Sequence, residues 1–132
     1  MIGLDTNVLV RYFSQDDAVQ SRRALALFKS RLTRESPGHV NLVTLVETVW
    51  VLRRLYGADR AEVAHVVGSL LAAPNVVVER KPLVRKSLQD YEASECDFSD
   101  CLIAQLNAEA GCAMTLTFDR AAAKQHGYEL LA

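Results

Sequence analysis

Short strand-like runs alternate with amphipathic helical stretches along the whole chain, and this alternation limits the possible folds more than any other feature. Residues 1–4 (MIGL) are an apolar run that stops at Asp5. Residues 39–43, 75–79 (NVVVE), 114–117 and 128–131 form four more such runs, rich in the β-branched residues that favour strands. Between them lie helical patterns over residues 6–13 and from Asp17 to about Leu32, where Ala18, Leu25, Phe28 and Leu32 recur at helical steps. Thr44, with Glu47 three residues on, has the spacing of a capping box for a helix that Gly57 ends. Asp59 and Glu62 repeat that spacing before Val63, Val66, Val67, Leu70 and Leu71, the expected inward face of the next helix. Pro82 opens a further helix, and Ser99 is placed to cap one carrying Leu102, Ile103 and Leu106 as far as Gly111. Strands that alternate with helices imply an α/β fold: a central parallel sheet flanked by helices on both faces. A length of 132 residues suits a single domain, residues 1–132.

The net charge of −1 hides an asymmetry. Residues 1–86 carry thirteen Lys or Arg against eight Asp or Glu, a balance of +5; residues 87–132 carry two against eight, a balance of −6. A passive nucleic-acid binder does not concentrate acid in this way, whereas a protein that handles phosphates through a bound cation does. No apolar run approaches the roughly 20 residues of a membrane span. The opening MIGLDTNVLVRYF lacks the basic leader and cleavage site of a secretory signal, so it is expected to be the first strand and helix. Cys96, Cys101 and Cys112 are odd in number and unpaired in spacing, which suggests reduced, half-buried structural thiols and a cytoplasmic location. His39, His65 and His126 are scattered, and His126-Gly127 suits a helix end.

In parallel sheets ligands collect where strands run out. Asp5 follows the first strand, Asp119 follows residues 114–117, and Glu47 and Asp100 are expected in first helical turns. Singly, Glu47, Asp100 and Asp119 suit a helix start for electrostatic reasons worth about 0.3–1 kcal/mol each. Asp5 interrupts an apolar junction, where a buried carboxylate is costly without a cation or several donors. Four carboxylates on one rim would repel one another without a metal, and all-oxygen ligation selects Mg²⁺ or Mn²⁺.

Residues 2–9 (IGLDTNVL), 47–52 (ETVWVL), 97–104 (DFSDCLIA) and 117–120 (TFDR) resemble, in order, the four motifs of PIN domains, most nearly those of bacterial VapC-type toxins. The resemblance implies a three-layer α/β fold, divalent-metal-dependent RNA cleavage, a homodimer, and inhibition by an antitoxin polypeptide. It places Asp5, Glu47, Asp100 and Asp119 at the metal-binding and catalytic carboxylates. Thr6, Asn7 and Asp97 fall at accessory polar positions. Ser99 and Cys101 stand where the family often has alanine.

One or two cations could activate water and stabilise both oxygens of an in-line displacement at a phosphodiester. No histidine is placed to serve as base, which leaves the nucleophile to metal-activated water. Asp5 is the expected central ligand, Asp100 and Glu47 share the metals, and Asp119 is the more distant ligand. Arg11, Arg53 and Arg54 project from helices that begin at the rim and are candidates for gripping RNA, while Arg80, Lys81, Arg85 and Lys86 form the densest basic patch. Trp50 is expected in core or dimer packing. A phosphatase of the haloacid dehalogenase type also puts an Asp after its first strand, but needs a second acid where Asn7 stands. A receiver domain needs a late Lys in a different order, and a non-catalytic PIN-like RNA-binding module would have lost a carboxylate; none is lost.

Overall fold

A computed structural model describes residues 1–131 and divides them into two compact units, 1–81 and from Pro82 onward. The first unit contains β1 (Ile2–Gly3), α1 (Thr6–Ser14), α2 (Ala18–Ala26), β2 (Gly38–Val40), α3 (Leu42–Tyr56), α4 (Arg60–Ala72) and β3 (Val76–Val78). Its strands lie side by side in the order β1-β2-β3, all parallel, with Ile2 opposite Gly38 and Gly38 opposite Val76. Leu4, Val40, Val76 and Val78 are buried, together with Leu9, Leu45, Val49, Leu52, Val63 and Val67 from the helices. Gly38 sits at a close approach: a Cβ there would lie 2.7 Å from Leu4 Cδ1 and 2.9 Å from Leu32 Cδ1, so a larger residue would have to displace two leucine side-chain ends.

The second helical pattern holds its length, and Phe28 and Leu32 face inward as expected, but Ala18 and Leu25 do not. Ser21, Ala24, Phe28 and Leu32 are buried, whereas Leu25 and Ala18 are exposed. After Ala26 the helix widens into a π-turn over Leu27–Arg31, closed by Leu32 N–H donating to Leu27 C=O at 2.9 Å. The cap of α3 also moves. Asn41, not Thr44, is the N-cap, its side chain accepting from Thr44 N–H at 2.8 Å, so residues 42 and 43 are helical and no longer strand. A strand that ends at Val40 leaves Asn41 in extended backbone, where its side chain can reach the free N–H groups of the first helical turn. Gly57 ends α3 with φ of 65°, and the Asp59–Glu62 capping box forms as the spacing predicts. All five expected apolar residues of α4 are buried.

The second unit contains α5 (Lys81–Glu92, which opens at the unit boundary), α6 (Phe98–Glu109), β4 (Thr115–Thr117), a 3₁₀ turn (Ala122–Lys124) and β5 (Tyr128–Leu130). β4 and β5 pair in parallel. Thus every strand pairing is parallel, as the alternation requires, and the hydrogen-bonded strands form a three-stranded and a two-stranded sheet. Tyr91 and Phe98 meet edge to face, ring centres 5.9 Å apart, and Gln105 Nε2 donates to Asp90 Oδ2, tying α6 to α5. The N-cap of α6 is Asp97, which puts Ser99 inside the first turn instead of ahead of it, and Ile103 is exposed. Among the described residues no helix is long and apolar enough to cross a membrane.

Candidate metal centre

In the first unit the parallel register brings the ends of β1, β2 and β3 to one edge. Asp5 stands just beyond β1 as the N-cap of α1: its Oδ1 accepts from Thr6 N–H at 2.8 Å and its carbonyl from Val8 N–H at 3.1 Å. Asp5 is exposed, so the expectation of a buried carboxylate is wrong. The apolar run ends at Leu4, and the chain turns outward before the acid. Thr6 is buried behind it and Asn7 is exposed. Glu47 lies one turn further into α3 than the sequence suggests, because the helix begins at Leu42; it too is exposed.

The same edge holds a carboxylate that the sequence reading passed over. Glu79 follows β3, and its Oε1 accepts from Leu42 N–H at 2.8 Å, so with Asn41 it fixes the start of the helix that carries Glu47. The signal was present as the last residue of NVVVE, but its pairing across 37 positions follows only from the parallel register.

The second unit places Asp97, Asp100 and Asp119 in one electrostatic neighbourhood. Asp97 caps α6 through its backbone, its carbonyl accepting from Cys101 N–H at 3.2 Å, and its side chain makes no capping bond. Asp100 is in the first turn. Asp119 follows β4 and spends Oδ1 on Ala121 N–H at 2.8 Å, with Ala122 N–H at 3.4 Å, which orders the turn into the 3₁₀ segment. Partial burial, then the charges of Asp97 and Asp119, raise the Asp100 pKa above its ordinary value. Tyr128 O–H donates to the Asp100 carbonyl at 2.7 Å, and burial followed by Asp100 pushes that phenol up to about 12. Tyr128 was not foreseen either, since nothing local links two residues 28 apart.

The neighbouring thiols are structural in setting. Cys96 and Cys101 are buried and Cys112 is exposed. Cys96 Sγ donates to Ala121 C=O at 3.0 Å, and burial pushes the Cys101 thiol up to about 11.

All three arginines expected to grip RNA are already engaged. Arg11 donates from Nε to Gln20 Oε1 at 2.7 Å and from Nη1 to Tyr56 O–H at 2.9 Å and Asp16 at 3.3 Å, in a network tying α1 to α2 and α3. Arg54 lies over the ring of Trp50, 5.7 Å from its centre, and Arg53 is also engaged. Trp50 is 56% exposed, not core.

Among the described residues no three carboxylate, imidazole or thiol groups are gathered closely enough to hold one ion. The donors nonetheless suit a hard cation. All are carboxylate oxygens, Asp5 and Asp119 just beyond strands and Glu47 and Asp100 within helices, and Asp100 carries a repulsion from Asp97 and Asp119 that positive charge would remove.

A model of the PIN-domain family matches residues 2–127, across both units. The chain belongs to the PIN-domain family. No curated protein matches it. PIN domains are generally metal-dependent nucleases, that is, hydrolases.

Proposed function

We propose that this PIN domain is an endoribonuclease dependent on Mg²⁺ or Mn²⁺, with Asp5, Glu47, Asp100 and Asp119 as its metal ligands. The observation that carries the reading is Asp100, half-buried in the first turn of α6 with Asp97 and Asp119 close enough to act on its charge; in the first unit Asp5, just beyond β1, and Glu47, in α3, are exposed carboxylates. When bound, the cation supplies Lewis-acid stabilisation of the phosphodiester oxygens and an activated water.

The chain's own residues then have distinct tasks. Asp5, fixed by the Thr6 amide, presents its second carboxylate oxygen outward. Thr6, buried behind it, and the exposed Asn7 stand next in the chain as accessory polar residues. Glu79 and Asn41 set the helix that carries Glu47. Asp97 keeps its carboxylate free of capping duty and stands as an accessory acid. Asp119 divides its oxygens, one accepting the Ala121 amide and one left for a ligand, which suits the more distant role.

The four motifs and their order further suggest a VapC-type toxin, held as a homodimer and inhibited by an antitoxin polypeptide in the cytoplasm. The phosphatase alternative is disfavoured by Asn7, an exposed amide that cannot act as the second acid.

The test is hydrolysis of single-stranded and structured RNA with Mg²⁺, with Mn²⁺ and with EDTA, by wild type and Asp5→Asn. Cleavage that needs metal and is lost in the variant supports the assignment. Cleavage undiminished in EDTA, or an equally active Asp5→Asn, refutes the metal mechanism. Turnover of a phosphomonoester but not RNA would favour the phosphatase.

A further inference from the structure

Between Asp17 and Glu35 the chain carries Arg22, Arg23, Lys29, Arg31 and Arg34 and no acidic residue. All five are exposed. A run of this kind is ordinarily a solvated helix face, but the fold gives part of it a shape. Asn7 and Arg11 on α1 face Gln20, Arg23 and Arg31 across a groove of about 420 Å³ whose floor includes Leu27. No carboxylate lines it. Arg11 is held by Gln20 and Tyr56, and Asp16 at 3.3 Å offsets its charge. Arg23 and Arg31 form no ion pair among the described residues, so their charge faces the groove uncompensated.

The spacing comes from the backbone. Gln20, Arg23, Leu27 and Arg31 recur at steps of three and four, and the π-turn of Leu27–Arg31 carries Arg31 on the same side as Arg23. At its other wall the groove begins with Asn7, two residues after Asp5 in the first turn of α1.

We propose that this groove is a subsite for the backbone phosphates of single-stranded RNA, with Arg23 and Arg31 as the phosphate-binding residues and Arg11 as a preset wall. The inference rests on the nuclease reading for its choice of ligand. It adds residues from a helix that carries none of the four motifs. Guanidinium groups present a planar fork to phosphate oxygens, and a groove lined by arginine and amides with no acid suits a polyanion. An acidic polypeptide would satisfy the charge. The amides of Asn7 and Gln20 beside the arginines, and the proximity of Asp5, favour the substrate strand.

The experiment compares wild type, Arg23→Gln/Arg31→Gln and Arg22→Gln/Arg34→Gln, which removes two exposed charges of the same run that do not line the groove. Affinity for a short labelled single-stranded RNA is measured in EDTA over a range of salt, with circular dichroism confirming the fold. Two lost phosphate contacts should flatten the slope of log affinity against log salt by about 1.4. Between about 50 and 200 mM salt the wild type should lose about sevenfold more affinity than the groove variant. The control pair should keep the wild-type slope. Equal losses in both double variants, or none in the groove variant, overturn the proposal. A groove variant that keeps RNA but loses binding to polyglutamate also overturns it, in favour of a protein partner. Groove-dependent RNA binding by a wild type that never hydrolyses RNA supports the groove and refutes the nuclease reading alone.

Discussion

Replacing Asp100 by Asn separates a metal ligand from a residue that merely suits a helix start. In the first turn of α6 the negative charge gains about 0.3–1 kcal/mol from the helix N-terminus. Opposing it are partial burial, the charge of Asp97 three residues earlier and that of Asp119, which together raise the pKa. A like-charge pair at helical spacing costs about 0.2–0.5 kcal/mol, and solvent keeps the second pair of similar size. The opposing effects nearly cancel. In EDTA near neutral pH, Asp100→Asn should therefore match wild type or exceed it by up to about 0.5 kcal/mol. Mg²⁺ at a hundredfold excess over Kd adds about 2.7 kcal/mol to the protein that binds it, and less to one lacking a ligand. The order should then reverse.

Acid gives the same group a second signature. Because the folded pKa is raised above 3.8, the fold favours the protonated carboxyl, and wild type loses stability as pH rises from 3.8 through the folded value. The variant lacks that step. Urea unfolding followed by circular dichroism, with EDTA and with Mg²⁺, measures both effects. If Asp100→Asn is less stable by the same margin in both buffers, Asp100 is a helix-start residue and the ligand assignment is wrong.

Tyr128→Phe removes the 2.7 Å bond to the Asp100 carbonyl and should cost about 0.5–1.5 kcal/mol by urea unfolding, with a larger loss in RNA cleavage than in stability alone; unchanged cleavage would show that Tyr128 does not position Asp100. Glu79→Ala removes an acceptor from the first turn of α3 and should cost about 1 kcal/mol, whereas Glu79→Gln should restore most of it; equal losses in both would contradict a capping role. The Cys101 thiol, raised from 9.0 to about 11 by burial, keeps its proton more tightly in the fold, so stability should fall as pH climbs from 9.0 to about 11 and level off above. Cys101→Ala should show a shallower decline over that window, and identical pH slopes for the two proteins would disprove the burial effect.

The sequence by itself determined the elements with strong periodicity or chemistry of their own. The α4 face from Val63 to Leu71 and the Asp59–Glu62 box are complete in local spacing, and β3 follows from three adjacent valines. Of the four candidate ligands, Asp5 and Asp119 were legible as acids just beyond strand-like runs and Asp100 as an acid in a first helical turn, whereas Glu47 lies deeper in its helix than local spacing gives. Only tertiary structure decided where each cap fell and which faces were inward. Leu25 yields to Ala24 because helix packing, not hydrophobicity, selects the buried stripe. Asn41 displaces Thr44 because β2 stops at Val40, where its pairing with β3 ends. Asp5 is exposed because the chain turns outward after Leu4. Glu79, Tyr128 and the Arg23–Arg31 groove depend on partners distant in sequence, and no local pattern encodes a partner that only strand pairing or helix docking brings near.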